Sequence, residues 1–283
     1  MSVKIVTDST ADLPTDVVKA LGITVVPLTV RFGQESFLDG VELSSEAFFQ
    51  RLAASKALPT TSQPSPGVFL ETYRKLLDAG HQVVSVHISE KLSGTLNSAR
   101  QAKDQLPGSA IETLDSQQAT LGLGLVVMAA AKAVQQGASL VEAVAVAREA
   151  VGQVQVFGIL ETLEYLQKGG RIGKVRALVG SLLKVRPMIT VREGVPHSLG
   201  LARSRNQAMQ YLLTVARERA PLKQAAVVYS TTPQEAEQLA DQVQQYVQNG
   251  KVLMARFGPV LGTYVGPGAW GLVVQSEKTD SLS

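Results

Sequence analysis

Ser93, Gly94 and Thr95 end an apolar run (Val83 to Ile88) and open a segment with helical spacing, within HISEKLSGTLNSA. Strand, Ser-Gly turn and helix start, in that order, aim hydroxyls and backbone N–H groups at one point, and α/β proteins hold anions in this way. A second hydroxyl-rich loop, TDST (Thr7 to Thr10), ends the first strand-like run. Ligands of open α/β sheets lie beyond the carboxyl ends of strands, so both loops fall on one edge. Ser9, Thr10 and Ser93 also fit plain N-caps, each worth roughly 1 kcal/mol.

PTTSQPSP is harder to assign to capping. Prolines on both sides of TTSQ stiffen a loop that carries three hydroxyls, and only Ser65, before Pro66, suits a helix start. Thr60, Thr61 and Ser62 are left to present hydroxyls to a small anionic head group. A third unusual run is FGPVLGTYVGPGAWG (Phe257 to Gly271), in which five glycines and two prolines surround Tyr264. Such glycine density permits close backbone approach or positive φ. The plain alternative is an irregular turn between two strands.

The chemistry these residues lack narrows the function. Neither phosphate fingerprint, G-x-x-x-x-G-K-[ST] or G-x-G-x-x-G, occurs. There is no cysteine, no G-x-S-x-G elbow, and no ligand spacing among His81, His87 and His197. His87 reads as a packed strand residue. Hydroxyls and amides without a base favour binding over turnover, and a carboxylate over a polyphosphate. No metal, cofactor or nucleic acid is expected.

The elements that must position these loops follow from periodicity. The 283 residues, 45% of them hydrophobic, are enough for about two domains. Up to about residue 152 the chain alternates strands (Val3–Thr7, Thr24–Phe32 interrupted by Pro27, Gln82–Ile88, Ala110–Leu114) with helices, the last two Ala-rich (Ala119–Gln135, Leu140–Val151). Beyond that, VQVFGIL, a hairpin turning at Glu193-Gly194, a helix over Arg205–Arg219, AAVVYS, a helix over Pro233–Gln248 and two closing strands mix hairpins with helices. The expected fold is α/β: a doubly wound parallel-sheet domain over residues 1–155 and an α+β domain over 156–283, with the ligand between them. The N-terminus lacks a signal-peptide core, and the uncharged stretch Ser116 to Ala131 is sixteen residues. It reads as a buried helix, and a cytoplasmic protein is expected.

The net charge of +3 conceals an asymmetry. From Lys168 to Arg205 there are nine basic residues (Lys168, Arg171, Lys174, Arg176, Lys184, Arg186, Arg192, Arg203, Arg205) and one acid, Glu193, giving +8 against −5 elsewhere. A sign split of this kind suggests a charged partner.

VTDSTADLP, PTTSQPSPGVF, ISEKLSGTLNSA, LETLEYLQKGGRIG and GPVLGTYVGPGAWG resemble, in this order, the signatures of the DegV family, from Lys4 to Val274. The resemblance implies a fatty-acid-binding protein with the lipid buried between two α/β domains. It also implies a place in a bacterial fatty acid kinase system, where a separate subunit phosphorylates the carboxyl and the acyl phosphate enters phospholipid synthesis. By position, Thr61 and Ser93 would hydrogen-bond the carboxylate, with Ser9, Ser62 and Gly94 as further candidates for the pocket. Arg171 and Arg203 would form the docking surface for the kinase subunit, with an anionic membrane surface as the other partner of the basic segment. Family members commonly carry histidine in the pattern G-x-H-x-G-P-G, and Tyr264 stands there in this chain. A phenol can donate a hydrogen bond but does so without the charge available to histidine. Two rival readings remain: a lipid-binding transport or sensing protein without a kinase, and a hydrolase using Ser93 or Asp8.

Overall fold

The protein is described by a computed structural model covering residues 2–178, 185–248 and 250–277. Its first part runs β1 (Val3–Asp8), α1 (Thr15–Leu21), β2 (Thr24–Val26), β3 (Thr29–Phe32), β4 (Glu35–Leu38), α2 (Ser45–Ala54) and β5 (Thr60–Ser62). Then follow α3 (Pro66–Asp78), β6 (Gln82–His87), α4 (Thr95–Asp104), β7 (Ile111–Asp115), α5 (Leu121–Gln135) and α6 (Leu140–Gln153). The remainder is β8 (Val154–Ile159), α7 (Glu164–Lys168), β9 (Arg186–Arg192), β10 (Val195–Ala202), α8 (Arg205–Arg219), β11 (Gln224–Tyr229), α9 (Pro233–Val243), β12 (Leu253–Arg256), α10 (Pro259–Val265) and β13 (Trp270–Gln275). The fold is the expected mixed α/β type.

β2, β1, β6 and β7 form a parallel sheet in that order. Helices cover both faces, so β6 reads as an unbroken apolar run rather than an alternation. α3 and α4 pack on one face around Phe69, Tyr73 and Ala99, while α5 and α6 pack on the other. Strand order reverses between β1 and β6, which puts Asp8–Thr10 and Ile88–Ser93 together at the switch point.

The second large sheet has the order β10-β9-β8-β13-β11-β12, antiparallel except for the β11–β12 pair. α8 and α9 cover its outer face; Ser204 caps α8 by accepting the Gln207 N–H at 3.1 Å. α5 covers its inner face and also packs on β1 and β6, so it lies between the two large sheets. A helix in that position must be apolar all round, and its residues Leu121–Met128 are all buried.

Three elements differ from the sequence reading. The run over Thr24–Phe32 divides at Pro27 into β2 and β3, which join different sheets. TTSQ contributes an edge strand, β5, paired antiparallel with β3. Pro59 and Pro64 flank β5 instead of interrupting it, so its N–H groups stay free to pair. The glycine-rich run forms helix α10, with Pro259 in the first turn, where its missing N–H costs nothing. Gly262 lies where a Cβ would come within 2.5 Å of the Phe48 ring and 3.0 Å of the Phe49 ring, both on α2. The close approach of those rings is what glycine supplies there.

Candidate functional site

A cavity lies between the two large sheets. Its walls are apolar: Leu28 and Ile88 on one side, Val156, Ile189 and Val228 on the other, with Leu261 of α10 above. Its hydroxyls include Thr10, Thr61, Ser93, Thr120 and Tyr264.

Thr61 faces the cavity from the middle of β5, and its Oγ1 lies 2.5 Å from the Tyr264 hydroxyl near the end of α10. Ser93 enters from the loop after β6. Its Oγ is 2.9 Å from Thr95 Oγ1 and accepts the Thr95 N–H at 3.3 Å, so Ser93 both steadies the start of α4 and lines the cavity. The structure thus brings Thr61, Ser93 and Tyr264 to one cavity from three separate parts of the chain.

The other sequence candidates are placed differently. Ser9 is not a cavity residue: its Oγ accepts the Leu28 N–H at 3.0 Å and tethers β1's loop to the next segment, beside a separate surface cleft. Ser62 follows Thr61 in β5, where strand alternation turns it to the opposite face. Gly94 precedes α4 in an outer cleft that shares Leu92, Ser93, Arg171 and Pro196 with the cavity mouth. A Cβ at Gly94 would fall on the amide of Gln63, which itself lines the cavity.

Arg171 lies at the cavity mouth. Its Nε donates to Leu92 O at 3.3 Å, its Nη1 donates to Gly169 O at 2.8 Å, and its guanidinium carbon stands 5.2 Å from the centroid of the Tyr264 ring. This cation–π contact puts a fixed positive charge beside the hydroxyl cluster. Arg203 is exposed, away from the cavity, and only its backbone N–H is engaged, with Gln207 Oε1 at 2.7 Å.

The basic segment is less charged in space than in sequence. Lys168 pairs with Glu164, Lys174 with Glu193 at 3.8 Å, Arg186 with Glu161 at 3.1 Å, and Arg205 with both Glu161 and Glu235. Three of these acids lie outside the window over which the charge was summed. Lys184 lies outside the described residues.

His87 is fully buried, as a packed strand residue would be, but it is also the centre of a hydrogen-bonded chain. Tyr73 Oη donates to Ser85 Oγ at 2.8 Å, Ser85 Oγ meets His87 Nε2 at 2.7 Å, and His87 Nδ1 meets Asp8 Oδ2 at 2.9 Å. Asp8 also accepts the Thr10 N–H at 3.1 Å, the Thr10 hydroxyl and the Ile88 N–H at 3.1 Å. The order Asp, His, Ser resembles a hydrolytic triad in composition only. Ser85 is fully buried, and neither Asp8, Ser85 nor His87 lines the cavity. What the chain does is lock the ends of β1 and β6 together, and with them Thr10 and Ile88 on the cavity wall. Among the described residues no group of His, Asp and Glu is arranged to hold a metal ion, and no helix is long and apolar enough to cross a membrane.

A mixed α/β protein with an apolar cavity between two sheets, ringed at one place by hydroxyls, is the class that fold and site define. The chain belongs to the DegV family: the family model, described as "Uncharacterised protein, DegV family", matches residues 2–277. A DegV domain-containing protein of Halalkalibacterium halodurans is 36% identical over 280 residues, covering 98% of this chain and 99% of its own. One of Clostridium perfringens is 33% identical over 285 residues, covering 98% of this chain and all of its own. Among solved structures, a DegV family protein from Thermus thermophilus described by its fatty acid binding superposes with a TM-score of 0.92 at 35% identity, over 98% of this chain and 100% of that one. DegV of Bacillus subtilis, described as a fatty acid binding protein, gives 0.87 at 29% identity, over 98% and 100%.

Proposed function

We propose that this protein binds one long-chain fatty acid in the cavity, its carboxylate held by Thr61, Ser93 and Tyr264, and presents that carboxyl to a separate kinase subunit. The observation that carries the reading is the cavity itself: apolar walls, with three hydroxyls from β5, the β6–α4 loop and α10 converging on it. The fatty acid binding named for the relatives from Thermus thermophilus and Bacillus subtilis supports it. A C16 tail taken out of water gains on the order of 11 kcal/mol at about 0.8 per methylene. The carboxylate loses several kcal/mol unless donors replace its water. The hydroxyls and the Arg171 guanidinium at the mouth supply that replacement.

On this reading the chain is a carrier and not an enzyme, consisting of two domains, residues 1–155 and 156–283, and working in the cytoplasm. Arg203, exposed and clear of the cavity, is the better candidate for docking to the kinase subunit, and phosphorylation would feed phospholipid synthesis. A second reading, transport or sensing without a kinase, is favoured by Tyr264 in the position where a histidine is expected. Against a hydrolase using Ser93 or Asp8 stand the full burial of Asp8, whose oxygens are taken by Thr10, His87 and Ile88, and the bonding of Ser93 to Thr95 instead of to a base. Native mass spectrometry of the purified protein tests the proposal. A co-purified mass matching a fatty acid is expected; no bound acid, together with turnover of an ester, would overturn it.

A further inference from the structure

Asp12 and Asp39 are buried carboxyls that the head-group site does not use, 9% and 3% exposed. Both face Gly258, the residue that opens α10. Asp12 Oδ1 accepts the Gly258 N–H at 2.9 Å, and the Asp39 carboxyl lies against the same turn, beside Gly258 and the Val260 N–H. Asp12 Oδ2 also accepts the Thr120 hydroxyl at 2.7 Å. Asp12 has φ +50° and Thr120 has φ +51°, a conformation that a β-branched residue rarely adopts. Such strain persists only where the surroundings over-determine it. Here the surroundings are the hydrogen bonds that carry the pair to α10.

The carboxyls also press on backbone. A Cβ at Gly258 would lie 3.0 Å from Asp12 Oδ1 and 3.1 Å from Asp39 Oδ1. Nearly two turns further on, α10 carries Tyr264, which stands against Thr61. α10 belongs to the later part of the chain, whereas Asp12, Asp39 and Thr61 belong to the earlier part. The contact therefore joins the two halves that enclose the cavity.

We propose that Asp12 and Asp39 are positioning residues for the head-group site: they grip the start of α10, hold Tyr264 against Thr61, and so set how readily the cavity opens to release its acid. This rests on the fatty-acid reading of the cavity for its last clause only. The grip itself can be measured without lipid.

The pair is sensitive to pH. Burial pushes the Asp39 carboxyl up to about 6, with Asp8 adding to the rise and the Ser9 hydroxyl and Val260 N–H opposing it. Burial also raises Asp12 well above the ordinary carboxylate range, with Asp39 and Asp8 adding to it and Thr120 and Gly258 opposing. Arg256 and Tyr229 line the same cleft, and Arg256 is engaged with Ser230 O at 2.7 Å and with the Phe49 ring. Asp39 Oδ2 has no hydrogen-bond partner, so the protonated form suits this site better than the charged one. A carboxyl titrating near 6 when gripped and near 3.8 when exposed favours the gripped state fully below pH 3.8, an advantage lost as pH rises through 6. Between pH 5 and pH 7 one pH unit of that window remains, which makes opening about tenfold easier at the higher pH.

Hydrogen exchange of residues 257–265 in delipidated protein reads the grip, and fatty acid release into acceptor vesicles reads its consequence. In the wild type, protection corrected for intrinsic rate should fall about tenfold from pH 5 to pH 7, with release quickening to match. Asp39→Asn, a neutral isostere, should make this profile shallower, leaving only the part that Asp12 contributes. Gly258→Ala leaves both carboxyls in place but pries them from the helix, so it should lower protection and speed release at every pH. An Asp39→Asn profile that superimposes on the wild type, or a Gly258→Ala protein with wild-type protection, overturns the proposal. Should Asp39→Asn fail to fold, the wild-type profile and Gly258→Ala decide it. If no fatty acid binds at all, the proposed function fails while the exchange profile still judges the grip.

Discussion

Removing the Tyr264 hydroxyl is the sharpest test of the head-group assignment. Tyr264→Phe keeps the ring beneath Arg171 and deletes one donor. A hydrogen bond to a charged group contributes about 1.5–3 kcal/mol. The full value is not expected here, because in the free protein the same hydroxyl is bonded to Thr61 Oγ1 at 2.5 Å. Ligand binding exchanges that neutral bond, worth about 1 kcal/mol, for one to the carboxylate. The net loss is then about 0.5–2 kcal/mol, or roughly 2- to 30-fold in Kd. Isothermal titration of the delipidated protein with a long-chain fatty acid reads this loss directly. The exchange argument makes a second, signed claim. With Thr61→Val in place, the Tyr264 hydroxyl has no partner to give up, and Tyr264→Phe should then cost the larger 1.5–3 kcal/mol. Affinity unchanged by Tyr264→Phe in both backgrounds would refute the reasoning, and Tyr264 would be a packing residue of α10.

Ser93→Ala should weaken binding by about 1–2 kcal/mol in the same titration, and should cost no more than about 1 kcal/mol in stability, the worth of the bond its hydroxyl accepts from the Thr95 N–H at the start of α4. Arg203→Glu should leave lipid affinity at the wild-type value and reduce phosphorylation by a kinase partner, whereas Arg171→Glu, at the cavity mouth, should weaken lipid binding as well. Equal effects of the two reversals on binding would show that position relative to the cavity does not matter. His87→Ala should lower stability by about 3 kcal/mol in denaturant unfolding, since it empties a space beside the Phe69 ring, 5.0 Å away, and strips donors and acceptors from Asp8 and Ser85. A loss of less than 1 kcal/mol would mean the chain from Tyr73 to Asp8 is not structural.

Legibility in the sequence followed how local each element's cause is. β6 and α5 announce themselves because being covered on all sides demands an unbroken apolar run, and α8 because Ser204 and fifteen helical residues need no outside help. β4, β5 and α10 are short, four, three and seven residues, and owe their form to neighbours distant in sequence. TTS becomes a strand only because β3 offers it an edge. The glycine run carried a readable sign: Gly258, Gly262 and Gly266 recur at every fourth position, the spacing of one helix face. Five glycines in fifteen residues hid that period behind the expectation of a loop.

The site was legible as chemistry and illegible as geometry. Hydroxyl-rich loops at strand ends point to an anion, but nothing in the spacing joins Thr61 to Tyr264, 203 positions away. The same limit governs what a residue's type can say about reactivity. Asp8, Ser85 and His87 hold the groups of a hydrolytic site, and the sequence, which reads His87 as a packed strand residue, does not show that the three are joined. The difference is made by what surrounds them: Ser85, itself bonded by Tyr73, and Asp8 take the two ring nitrogens, Phe69 packs against the ring, and the ensemble is closed to solvent. A base whose partners are all internal has no proton to trade with a substrate. The polar groups that do reach the cavity are hydroxyls, an amide and one arginine, none of which removes a proton near neutral pH without help. The sheet thus seals its triad-like histidine away from the cavity, a placement that no count of residues could have revealed.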